Sequence, residues 1–279
     1  MAPSAMDPMS QSRQYRPVDG HVHFHTVARV APTLEAAATN FRALGHASQG
    51  LLGAVLLTQI ATERVFEELT ASQRAGNWTL TAAGDEAESL LARNGAATIA
   101  VVCGRQVRAA CGLEVLALGT LQTFVDGLPF EQAVEAVQRS GALTVLPWGF
   151  GKWLGERGRR VQALLERLGP QALFLGDNGG RATLAGVPSL IRRSESRGFR
   201  VLPGSDPLPI VSDHERVGAF GFLAEAGLTE HAPWRTLREW LMQRDTSPMR
   251  YGRACSSLSF AGNQVRLQLS QRSARWCTT

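Results

Sequence analysis

Lysine is almost missing from this chain: of 29 basic residues, only Lys152 is not arginine. A general preference for Arg is the plain reading of that bias, and Lys152 stands out against it. The four cysteines (Cys103, Cys111, Cys255 and Cys277) show neither CxxC pairing nor zinc-ribbon spacing. Residues 1–16 contain no apolar segment of the kind a secretory signal needs, so reduced thiols in a cytoplasmic protein are expected. No run approaches the roughly 20 apolar residues of a membrane span. No GxGxxG follows the first apolar run, which argues against a dinucleotide-binding open sheet. Histidine is scarce and uneven, with six in all and none between His46 and His214. There is no internal repeat and no low-complexity block.

What is present suits one large domain or two small ones. The 279 residues are 44% hydrophobic and 19% charged, enough for a sizeable core and too apolar for disorder. The net charge of +5 is unevenly spread. Residues 235–279 hold eight Arg against Glu239 and Asp245, a local +6, while the rest of the chain sums to −1. A near-neutral body argues against sequence-specific nucleic-acid binding, and the basic tail leaves room for an anionic or protein partner there.

The order along the chain is strand, punctuation, helix, repeated. Strands are expected at Val18–Phe24, Leu51–Leu57, Trp78–Ala82, Thr98–Cys103, Leu113–Leu118, Leu143–Leu146, Leu173–Leu175 and Phe199–Leu202. Helices are expected at Leu34–Leu44, Glu63–Arg74, Asp85–Arg93, Phe130–Arg139, Leu154–Leu168 and Val187–Arg197, and Gly104–Gly112 reads as a connection. Such alternation implies parallel strands, about seven of them between residues 17 and 206. The expected fold is α/β, a distorted (β/α)7 TIM-like barrel, with an open doubly wound sheet as the alternative. The expected organisation is a flexible leader over 1–16, a barrel over 17–233, and a basic extension over 234–279 packed on or beside it. Ala219–Ala226 reads as a last strand, Trp234–Gln243 as a helix, and Ser257–Phe260 with Val265–Leu269 as a β-hairpin.

Polar residues gather at the strand ends, where α/β barrels carry their chemistry. His21 and His23 share one face of an extended strand and can grip one cation, and His25 has the same parity. Asp206 follows a Gly-Ser turn, where a carboxylate can ligate metal and accept a proton, or simply cap a turn. Glu114 sits in an apolar run and needs a metal or a cationic partner there. Lys152, Asn178 and Arg181 lie on strand-end loops suited to an anionic substrate, and His214 follows Asp206 in a polar loop. Arg250, Tyr251 and Arg253 read as an exposed basic cluster.

These residues resemble the PHP (polymerase and histidinol phosphatase) superfamily of metal-dependent phosphoesterases over about residues 17–218. Val18-Asp19-Gly20-His21-Val22-His23 is similar to its opening HxH motif, Cys111-Gly112-Leu113-Glu114 to its GxE motif, Phe174 through Asn178 to its strand ending in Asn, and Gly204-Ser205-Asp206 to its GSD motif. Three positions depart from the pattern. Thr58-Gln59-Ile60 stands for the TDH element, Pro147-Trp148-Gly149 for a His–Pro pair, and Leu208 for the His two residues beyond the closing Asp. The resemblance implies a barrel of about seven strands and a reduced metal site of His21, His23, Glu114 and Asp206. Asp206 and Glu114 would be catalytic, Lys152, Asn178 and Arg181 would hold substrate, and His25 and His214 would be possible additional ligands. The implied cofactor is a divalent ion (Mn, Zn or Fe), and the implied partner is a small phosphorylated or anionic substrate. Two functions follow. One is phosphoester hydrolysis by metal-activated water. The other is a catalytically degenerate barrel that binds partners through its Arg-rich tail.

Overall fold

The computed structural model describes residues 15–47, 49–149, 151–180, 186–210, 212–225 and 228–252. The first half of the chain runs β1 (Tyr15–Val22), α1 (Val27–Ala43), β2 (Gly50–Leu57), α2 (Val65–Ser72), β3 (Arg74–Ala75), β4 (Trp78–Ala83), β5 (Glu86–Asn94) and β6 (Ala97–Val102). The second runs β7 (Gly104–Arg108), β8 (Glu114–Leu118), α3 (Phe130–Arg139), β9 (Leu143–Pro147), α4 (Gly155–Leu168), β10 (Phe174–Asn178), α5 (Ser189–Glu195), β11 (Val201–Gly204), β12 (Phe220–Glu225), α6 (Pro233–Met242) and β13 (Met249–Gly252).

The strands form two sheets. One has eight strands in the order β13-β12-β1-β2-β6-β5-β4-β3, the other five in the order β11-β10-β9-β8-β7. Parallel ladders occupy the centre of the larger sheet, β1-β2-β6, and one side of the smaller, β9-β10-β11. These strands are apolar on both faces, as β2 and β6 show by being buried along almost their whole length. One core lies between the sheets, built from Val18, Leu56, Val102, Leu116, Val145, Phe174, Leu202 and Phe222 and joined by Trp234, Leu237 and Leu241 of α6. Helices α1 and α2 cover the outer face of the larger sheet, and α3, α4 and α5 that of the smaller.

The fold is thus mixed α/β, with helices outside and a shared core inside. The expected all-parallel winding does not hold. Residues 86–94 form β5, paired antiparallel to β4 and β6, rather than a helix. Its Leu90 and Ala92 enter the outer core while Leu91 enters the inner one, and that alternation overrides good helix-forming residues. The 104–112 connection contains β7, antiparallel to β8, which is itself antiparallel to β9. Tyr15 and Arg16, expected in the leader, open β1 and pair with β12. The hairpin expected at 257–269 lies outside the described residues.

Among the described residues, no continuous ladder closes the two sheets into a barrel. They meet at two seams, each at a glycine. A single bridge joins Gln59 to Arg105, beside Gly104, where a Cβ would lie 2.4 Å from the Leu57 carbonyl. At the other seam the Asp206 N–H donates to His21 O at 2.8 Å, and a Cβ on Gly204 would lie 2.3 Å from His21 N. Among the described residues, no helix is long and apolar enough to cross a membrane.

Candidate metal centre

A β-bulge aims the histidines. Val18 and Asp19 pair with Ala54 and Val55, but the next partner of Leu57 is Val22, so β1 carries one residue more than β2 across this stretch. Val18 faces the inner core, and after the bulge Val22 faces the outer one. The extra residue therefore turns His21 and His23 together toward the space between the sheets, a common use of bulges near functional sites. His21 Nε2 and His23 Nε2 lie 3.2 Å apart, and each is 3.5 Å from Asp206 Oδ1.

Asp206 is placed by the second seam. Its φ of +46° is uncommon for a residue other than glycine, and it is held there by its bond to His21 O. Asn178, at the end of β10, donates through Nδ2 to Asp206 Oδ2, while its own Oδ1 accepts the Gly180 N–H at 2.6 Å. Behind the site, fully buried Asp19 accepts from Ser205 N at 2.8 Å, Gly218 N at 2.9 Å and His21 N at 3.3 Å. Asp19 thus ties β1, the turn after β11 and the entry to β12 to one carboxylate. Sequence reading overlooked it, although a carboxylate directly before Gly-His within an apolar strand was a usable signal.

The electrostatics favour a free lone pair on the His23 ring and charge on Asp206. Burial, reinforced by His21, lowers the His23 pKa from an ordinary 6.5 to about 4. Burial alone would raise Asp206, but His21, His23, Lys152 and Arg216 together hold it below its ordinary value. Burial pushes Asp19 up to about 6 against the lowering effect of its three backbone donors.

His23 and Asp19 give opposite pH slopes. Folded His23 stays neutral down to about pH 4 while the unfolded chain protonates near 6.5, so its burial costs stability as pH falls through that window. Folded Asp19 takes up its proton near pH 6, before the unfolded chain does near 3.8, which adds stability as pH falls. Asp19→Asn removes the compensating group. Its melting temperature is expected to drop more steeply than the parent's between pH 6.5 and 4. Parallel melting curves for the two proteins would contradict the opposed shifts.

The remaining candidates divide. His25 sits at φ +61°, stacks on His23 with centroids 5.3 Å apart, and places Nδ1 3.3 Å from Glu63 Oε1 and Nε2 3.1 Å from Pro207 O. Glu63, read from sequence as the first residue of a helix, precedes α2 instead and stays below its ordinary pKa. Burial opposes that shift, but the hydrogen bond from His25 and the nearby His23 outweigh it. His21, His23 and Asp206 form one group able to hold a cation, and His23, His25 and Glu63 a second. Beside the second group lies a cleft of about 410 Å³ lined by His25, Thr26, Glu63 and Arg64. Glu114 belongs to neither group, and its carboxylate pairs with Lys152. His214, on a short 3-10 turn at Asp213–Arg216, is in neither group, and Arg181 lies outside the described residues. The expected exposed basic cluster is corrected. Tyr251 is buried and Arg250 reaches buried Asp177 at 3.1 Å, because β13 packs against β12 as a sheet strand, while Arg253 lies outside the described residues.

Of the three departures from the motif pattern, Gln59 has a structural use for its side chain, while Trp148 and Leu208 are held by backbone bonds that any residue but proline would make. Gln59 makes the seam bridge and accepts the Phe66 N–H at 2.8 Å, so it caps α2. Trp148 N donates to Gly176 O at 2.9 Å, and Leu208 N to Asp213 Oδ2 at 2.6 Å.

No protein-family model matches the chain, and no curated protein does either. Among solved structures, PsfC from Pseudomonas syringae PB-5123 superposes with a TM-score of 0.59 at 17% identity, over 92% of this chain and 99% of that one. That likeness shows a shared fold. The lesion-specific endonuclease PfuEndoQ from Pyrococcus furiosus aligns with a TM-score of 0.45 at 14% identity, over 75% of this chain and 52% of that one. So distant a likeness carries no conclusion about activity.

Proposed function

We propose that this protein is a metal-dependent hydrolase of phosphoesters, acting through a reduced PHP-type site on a distorted, incompletely closed barrel. The observation that carries the proposal is the convergence of His21 Nε2, His23 Nε2 and Asp206 Oδ1. Their separations of 3.2, 3.5 and 3.5 Å lie close to the roughly 3.3–3.6 Å edges of a tetrahedral site with ligand distances near 2.0–2.2 Å. Two imidazoles and one carboxylate suit Zn, Mn or Fe. When bound, such an ion polarises a phosphoryl oxygen and lowers the pKa of water.

The chain's own residues do the rest. Neutral His23 offers a lone pair and charged Asp206 an acceptor for a proton. Asn178 fixes which way the Asp206 carboxylate points. Arg216, tied to Asp213 and to Ser205 O, and Lys152 set positive charge near Asp206 and favour a small phosphorylated or anionic substrate. The proposed compartment is the cytoplasm.

A panel of phosphomonoesters and phosphodiesters, assayed with Mn, Zn or Fe, tests the proposal. Turnover is expected with at least one metal, falling about a hundredfold or more in Asp206→Asn. Turnover that survives Asp206→Asn, or none across the panel, would defeat it. The structural use of the Gln59 side chain favours the second reading, a non-catalytic barrel that docks through its basic tail. A chain truncated before Trp234 that recovers the same partners as full-length protein would remove the tail's role in it.

A further inference from the structure

We infer that Lys152 is a built-in cation that withholds Glu114 from the metal centre and lowers that centre's affinity for a divalent ion. The inference rests on the metal site proposed above and concerns how tightly it holds its ion.

Glu114 opens β8. The antiparallel register pairs Leu118 with Leu143 and Leu116 with Val145, and continuing it brings Glu114 level with Pro147, at the end of β9 where the centre's loops gather. The Glu114 carboxylate belongs to neither cation-binding group. Its partner is instead the Lys152 ammonium, carried on the turn that follows β9, where Lys152 N donates to Gly149 O at 3.0 Å.

The turn is shaped for this side chain. A Cβ on Gly149 would lie 2.7 Å from Lys152 Cδ, so the lysine stem packs closely over Gly149. The pair is partly sheltered, with the Glu114 side chain 15% exposed and that of Lys152 34%. The same ammonium helps to keep Asp206 ionised, which places its field on the centre as well as on Glu114. One residue among 29 basic ones departs from Arg, and it stands here. A compact ammonium is a point charge about the size of a bound ion, which a planar guanidinium is not. A fixed positive charge beside a cation site opposes cation entry, so Lys152 weakens divalent binding.

The signs distinguish this from a purely structural pair. Zn and Mn binding by the full-length protein is measured by competition with a chromophoric chelator, alongside metal content per chain. The parent is expected to hold one ion. Lys152→Met is expected to bind that ion about tenfold more tightly or more. Lys152→Arg, which keeps the charge, should bind within a few-fold of the parent, and so should Glu114→Gln. Binding in Lys152→Met that is unchanged or weaker would overturn the inference while leaving the metal site standing. A hundredfold loss in Glu114→Gln would do the same. A parent that takes up no ion would instead overturn the metal site itself, and the inference with it.

Discussion

Protein carrying both His21→Ala and His23→Ala retains no divalent ion under conditions that leave about one ion on the parent chain. The loss in affinity should exceed the ten- to hundredfold typical of residues that merely support a metal ligand. The two single variants are expected to differ. His23 belongs to both cation-binding groups and His21 to one, so His23→Ala should lose more than His21→Ala. Neither change should unfold the protein. His23 is buried with a strongly depressed pKa, and its Nδ1 has no partner among the described residues, so the ring contributes little to the stability of the metal-free chain. Melting temperatures close to that of the metal-free parent, measured together with metal content, would separate loss of a ligand from loss of the fold. Equal retention of metal by parent and double variant would remove the site.

Gly204→Ala should damage both stability and metal binding, although residue 204 touches no ion. An added Cβ would lie 2.3 Å from His21 N, 2.5 Å from His21 Cβ and 2.8 Å from Gly20 C, and two of these three atoms are backbone. Gly20 faces the same seam, with Pro203 O 2.7 Å from where its own Cβ would be. Neither strand can yield without moving the bond from Asp206 N to His21 O, and with it two of the three atoms that converge on the centre. Overpacking against backbone at this seam should cost on the order of 3 kcal/mol. In a chain of this size that lowers Tm by roughly 6–12 °C. Metal affinity should fall as well, since His21 must shift. An alanine variant with parental Tm and metal affinity would show that the two strands do not meet as closely as described.

Much of the site was legible because its signals are local. His21 and His23 share parity on one strand, and Asp206 follows a Gly-Ser turn. Long-range features were not legible. The bulge that turns the histidines inward depends on the register between β1 and β2, and nothing within β1 announces it. Glu63 looked like the first turn of a helix, and only the fold brings it to His25 across 38 residues of sequence. Lys152 was singled out by composition, but its pairing with Glu114 needed the β8–β9 register. In the fold, the alternation of apolar strands and helices located nearly every element. Strand direction failed where propensity misled. Residues 86–94 are rich in Ala, Glu and Leu, and antiparallel pairing on both sides makes them a strand. Glu86 then accepts the Trp234 and Arg235 N–H groups at 2.8 and 2.7 Å and caps α6, a contact that a helix at 85–93 would not have suggested.

The most direct test of the central claim is anomalous diffraction from crystals of the full-length protein loaded with Mn or Zn. One peak is expected, enclosed by the side chains of His21, His23 and Asp206, with Glu114 still turned to Lys152. A peak ligated by none of those three side chains, or no peak from protein shown by metal analysis to be loaded, would contradict it.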